Sequence, residues 1–226
     1  MGKTSMSFND LHIKINCIYD EILKSTGYKI DREIEKLGQS FYIFNRNHYE
    51  LKKELESFQS IETVRYLMAI ENIQKMDDYR NEVLRLLYNF LVAAKSLVEQ
   101  ARYIVKESGC KKEFKEKYLL EVKQRFSNSE CNKFIEDFRN YLVHKGFPNI
   151  SFTESYDKEK GYSSFVAINI NYLKRWDGWT KLSKQYINSL QSSENFLAIV
   201  TSYSVEIFSF YEWFKLEFRN FHKHEY

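Results

Sequence analysis

Residues 77–109, DDYRNEVLRLLYNFLVAAKSLVEQARYIVKESG, decide the fold. Apolar side chains return every three or four positions, at Val83, Leu87, Leu91, Ala94, Val98, Ala101 and Val105, which places them on one face of a helix. Asp77 and Asp78 stand where a helix N-terminus favours acids, and Gly109 is placed to end it. No proline interrupts the run, so it predicts the longest helix of the chain. Its opposite side carries Asn89, Ser96, Glu99 and Arg102. That side is either the wet face any amphipathic helix needs or the border of a cleft.

The same spacing extends toward the N-terminus. Leu11, Ile15, Ile18 and Ile22 predict a first helix over 8–24, ended near Gly27. Ile34, Leu37, Phe41, Phe44, Leu51 and Leu55 predict a second over 31–58, with Gly38 as a kink or break. A third is expected over 61–76, with Val64, Leu67, Met68 and Ile73 apolar.

Toward the C-terminus, 111–126 predicts a charged helix with Phe114, Tyr118, Leu119 and Val122 inward. Ser127 and Glu130 form a capping box for the next helix, and Lys145-Gly146-Phe147-Pro148 ends it: glycine supplies a left-handed residue and proline forbids continuation. Beyond Pro148 the period changes. Ile150, Phe152, Phe165, Ile168 and Ile170 flank the polar stretch 157–161, the pattern of a β-hairpin with a longish loop. Trp176-Asp177-Gly178-Trp179 predicts a turn, followed by helices over 180–190 and 193–221. The expected fold is therefore mainly α: one helical-bundle domain with an N-terminal helical part over about 1–76, a core over 77–226 and a hairpin inserted at about 150–170.

Composition narrows the function classes. One proline and seven glycines in 226 residues suit long helices, and 43% apolar residues argue against disorder. With 34 basic and 31 acidic residues intermixed, there is no electrostatic signature of duplex binding. Cys17, Cys110 and Cys131 are odd in number and widely spaced, which fits neither a disulfide framework nor a zinc site and suits small buried hydrophobes. No apolar run approaches the roughly 18 residues of a membrane span, and no signal-peptide core precedes the first helix. Met6 stands where a myristoylation motif requires Ser or Thr. The chain reads as cytoplasmic, with no membrane contact.

Chemistry concentrates in Phe138-Arg139-Asn140-Tyr141-Leu142-Val143-His144. On a helical wheel Cys131, Phe134, Ile135, Phe138, Tyr141 and Leu142 share one side, the expected buried face. Arg139, Asn140, Val143 and His144 are expected to point away from it. A small hydrophobe among Arg, Asn and His on an outward face suits a partner surface, such as a second copy of the same helix. A guanidinium fork matches phosphate oxygens, and imidazoles exchange protons near neutral pH.

These residues resemble the active-site motif of the HEPN superfamily, small helical bundles among prokaryotic toxin, defence and RNA-processing nucleases. Arg139, the polar Asn140 and His144 fill the places of its Arg, polar residue and His. The resemblance implies a metal-independent endoribonuclease completed when two protomers bring their motif helices together. It also implies an RNA substrate, no cofactor, and a partner of the antitoxin or nucleotidyltransferase kind. By that analogy His144 handles the proton of the ribose 2′-hydroxyl or of the leaving 5′-oxygen, Arg139 neutralises charge on the phosphate, and Asn140 orients a phosphate oxygen. The alternative is a non-catalytic HEPN-like helical protein whose motif surface binds a regulatory partner. A cationic His144 beside a helix C-terminus is also stabilised by the helix dipole without any chemistry.

The spelling recurs at Phe218-Arg219-Asn220-Phe221-His222-Lys223-His224, at the frayed end of the chain, where side chains are poorly held. His222, His224 and His48 have no spacing suited to a metal on a helix. Neither a Gly-rich phosphate loop nor a His-Glu-x-x-His zinc motif occurs. Trp176, Trp179 and Trp213, near Lys174 and Arg175, are expected in the core and against the hairpin, with stacking on single-stranded RNA as the other use of such residues.

Overall fold

The computed structural model describes residues 8–107, 112–159 and 161–223. Cys110, Gly109 and His224 lie outside them, as do residues 1–7 with Met6. The chain is mainly helical with a small antiparallel sheet, as its periodicity predicts.

Helix α1 spans Phe8–Lys24 and α2 Thr26–Ser57, separated at Ser25, whose hydroxyl accepts from the Tyr28 amide at 3.2 Å. Gly38 does not break α2. A Cβ there would meet only the Tyr211 hydroxyl, at an ordinary contact distance of 3.6 Å, so the fold does not require glycine at this position. The expected third helix is shorter: α3 ends at Met68 and a 3₁₀ turn covers Ile70–Asn72. Ala69 is extended, with ψ 139°, and this breaks the helical run. The long helix α4 therefore begins at Ile73, ahead of Asp77 and Asp78, and runs to Glu107. Val83, Leu87, Leu91, Ala94, Ala101 and Val105 are buried along it as predicted, with Val98 partly so.

Helix α5, Lys112–Val122, continues as a π-helical turn over Lys123–Ser127. That turn absorbs Ser127, so the cap of α6 (Glu130–His144) is Ser129, whose hydroxyl accepts from the Asn132 amide at 3.3 Å. The C-terminal stop is as expected: the Lys145 amide donates to the Tyr141 carbonyl at 2.8 Å and Gly146 takes φ 98°.

Strands β1 (Ile150–Asp157) and β2 (Gly161–Asn169) form the hairpin, in register from Ile150 opposite Ile168 to Asp157 opposite Gly161. A third strand, β3 (Ser193–Asn195), pairs with β2 where the sequence predicts helix. Between them lie α7 (Ile170–Leu173) and α8 (Lys181–Ser189), and the chain closes with α9 (Phe196–His222). The core is one cluster reaching from Ile30 on α2 to Phe218 on α9, rich in aromatic rings such as Phe44, Phe90, Phe114 and Phe214. The sheet is pinned to the end of α2 where the buried Ser164 hydroxyl donates to the Phe58 carbonyl at 2.7 Å. No helix of the described residues is long and apolar enough to cross a membrane.

Candidate functional site

Helix α6 carries the candidate residues, and one side of it is held rigidly. Phe134 and Tyr141 stack against Trp179 with ring centroids 5.5 Å apart, and Phe138 packs on it tilted at 6.4 Å. The Trp179 indole donates to the Leu173 carbonyl at 2.8 Å, so this tryptophan belongs to the core. The buried carboxylate of Asp137 accepts from the Thr180 amide at 2.9 Å and the Ser183 hydroxyl at 2.6 Å. It thereby caps α8 from a different helix. Nothing in the spacing of α6 announces Asp137, because its donors lie more than forty positions away.

The opposite side is unevenly exposed. Val143 is 52% exposed and His144 is also exposed, as the wheel predicts. Arg139 and Asn140 are instead half-buried. Arg139 lies at the margin of the buried face, about 100° from Phe138, and its long side chain reaches a pocket of about 80 Å³ enclosed by α4, α5, α6 and α9. The apolar floor of that pocket includes Leu91, Val98, Phe126 and Phe210.

The pocket's cations differ in how they are neutralised. Lys95 and Arg102 both pair with Glu99, at 2.7 and 2.8 Å, and Lys133 pairs with Glu136 at 2.6 Å. So one of the residues on the polar side of α4, Arg102, does stand at a cleft, with Glu99 as its ion-pair partner. Arg102 also faces Tyr118, whose phenol burial pushes up to about 12 against the pull of that guanidinium. Arg139 has no carboxylate among the described residues. Its Nη1 donates to Asn140 Oδ1 at a long 3.4 Å, and its Nε is buried without an acceptor.

His144 does not line this pocket. One chain therefore brings Arg139 and Asn140 together and leaves His144 on the outer surface. The second copy of the motif is divided too: Arg219 and Asn220 are exposed, while His222 is buried against the Phe218 ring with centroids 4.7 Å apart.

Two further titratable groups are withdrawn from solvent, His48 without a signal in its spacing and Cys131 on the expected buried face of α6. His48 packs among Phe44, Phe90 and Phe208, and burial, with the Lys52 charge, holds its pKa below the ordinary imidazole value. Its Nε2 is buried and has no partner. Cys131 is half-buried, and desolvation raises its thiol pKa, whereas Cys17 is exposed. The exposure of Cys17 departs from the expected buried role. Among the described residues no group of three or more His, Cys, Asp or Glu side chains is placed to hold a metal. Comparison with protein-family models, curated proteins and solved structures finds no match.

Proposed function

We propose that the chain is a HEPN-type endoribonuclease that cuts RNA without a metal as a homodimer, with Arg139, Asn140 and His144 as its site. The observation that supports this is the state of Arg139. It is a cation without a carboxylate, hydrogen-bonded to Asn140 and five residues before the exposed His144. A guanidinium left without a counter-ion suits a phosphate, and it stands on a helix whose other side is rigid. In the reaction the ribose 2′-oxygen attacks the adjacent phosphorus and the 5′-oxygen leaves. One proton is removed from the first oxygen and one is given to the second. His144 exchanges the proton, Arg139 offsets the charge growing on the phosphate, and Asn140 orients one of its oxygens.

Purified protein incubated with total RNA in EDTA tests the reading. Wild type is expected to cut, and His144→Ala and Arg139→Ala are each expected to slow cutting by roughly 100-fold or more. Cutting that survives both substitutions overturns the site.

A second reading, a non-catalytic interaction protein, is favoured by the separation of the residues. Arg139 Nε is buried in its own chain's pocket, while Val143, His144 and Phe147 form an exposed surface with an apolar component. Under that reading wild type leaves every RNA intact.

A further inference from the structure

Helix α1 is the one long helix that buries none of its residues. Leu11, Ile15, Ile18 and Ile22 are 44%, 53%, 48% and 51% exposed, although they recur at intervals of four, three and four. With Phe8 one step earlier, these are successive a and d positions of a heptad repeat, the seam of a two-helix coil. Leu23, at a b position, is the only half-buried residue of α1, so the contact with α2 leaves the seam free. A 17-residue helix with nothing buried is near the limit of what stands alone in water. An apolar seam in solvent makes that worse.

We propose that α1 pairs antiparallel with α1 of a second copy. The charges flanking the seam select this occupant. In an antiparallel pair with layers Leu11–Ile22 and Ile15–Ile18, the g position Lys14 lies within about 3 Å, along the axis, of the g position Glu21 of the second copy. The two-fold axis repeats the pair, so both Lys14 and Glu21 of each chain are matched. A parallel pair would instead set Lys14 beside Tyr19 and leave Glu21 facing Thr26, with no charge matched. A lipid surface fits worse: the helix carries Asp10, Asp20 and Glu21 against Lys14 and Lys24, whereas membrane-surface helices are rich in basic residues. The pairing uses no residue of the α6 site, so the effect of α1 substitutions on association tests it, while RNA cutting by the α6 variants tests the nuclease reading.

Sedimentation velocity of the full chain over a concentration series tests it. Wild type is expected to self-associate, and Ile15→Asp to weaken that association at least tenfold, with far-ultraviolet circular dichroism reduced by no more than the helicity of α1, since Ile15 is not part of the core. Lys14→Glu and Glu21→Lys should each weaken the dimer roughly tenfold, and the double exchange Lys14→Glu/Glu21→Lys should restore it. A monomeric wild type, an association unchanged by Ile15→Asp, or single charge reversals without effect would each overturn the antiparallel pair. So would wild type that floats with anionic vesicles while remaining monomeric in solution.

Discussion

Asp137 and Arg139 stand two residues apart on α6 and are treated in opposite ways. The acid is buried, yet two donors from the start of α8 satisfy it. The base is only half-buried, yet its Nε finds no acceptor and its one hydrogen bond is long. Burial alone therefore does not distinguish these two polar groups; hydrogen-bond satisfaction does. A satisfied buried carboxylate joins two helices and serves the fold. A half-buried guanidinium with an unpaired Nε makes no such link between helices, and on the proposed reading it is held for a ligand.

The sharpest way to break this contrast is to remove the satisfied partner. Asp137→Ala leaves the Thr180 amide without its acceptor and the buried Ser183 hydroxyl with only Thr180 Oγ1, at 3.0 Å. The expected loss is about 2 kcal/mol, since stranding one donor costs about 1–3 kcal/mol. Urea denaturation measures it. A loss below about 1 kcal/mol would mean that α8 caps itself and that the Asp137 network is incidental.

His48 extends the comparison, because it is an orphan of another kind. Its Nε2 is buried without a partner, as Arg139 Nε is, but an imidazole can shed its charge and a guanidinium cannot. Desolvation, followed by the Lys52 charge, lowers the folded pKa below the unfolded value of 6.5, with Glu56 opposing. The unfolded chain then binds more protons as pH falls through 6.5, so stability is full above that value and is lost below it, until the folded imidazole also protonates. Wild type should lose melting temperature between pH 7.5 and 5.5 by a few degrees more than His48→Phe, whose ring suits the neighbours Phe44, Phe90 and Phe208. Equal losses would show that other groups set the slope.

What the sequence disclosed follows the same division between local and distant causes. The stripe of α4, the buried face of α6 and the stop at Gly146 and Pro148 rest on spacing and backbone preference within one segment, and each was legible. Strand β3 was not, because Ser193, Glu194 and Asn195 carry no strand pattern and are held by pairing with Ala167, Ile168 and Asn169. The start of α6 was misplaced by two residues because the π-turn after α5 takes up Ser127. For the site, the exposure of His144 and Val143 came directly from the wheel. The position of Arg139 did not, because its pocket is walled by Tyr203 and Phe210 of α9, whose nearness to α6 is a product of the whole fold.

The smallest expected stability change is also the most informative about Arg139. Replacing it by Met keeps the length and apolar contact of the side chain while removing the buried, unpaired Nε. If the guanidinium serves no structural purpose, Arg139→Met should leave stability within about 1 kcal/mol of wild type, with any change in the stabilising direction, because a stranded donor costs free energy in the folded state alone. The same variant should lose RNA cutting as fully as Arg139→Ala. Loss of cutting with stability retained sets Arg139 apart from Asp137 as a ligand-facing group. A loss of 2 kcal/mol or more in urea denaturation would place Arg139 with Asp137 as part of the frame, and the contrast between the two residues would fall.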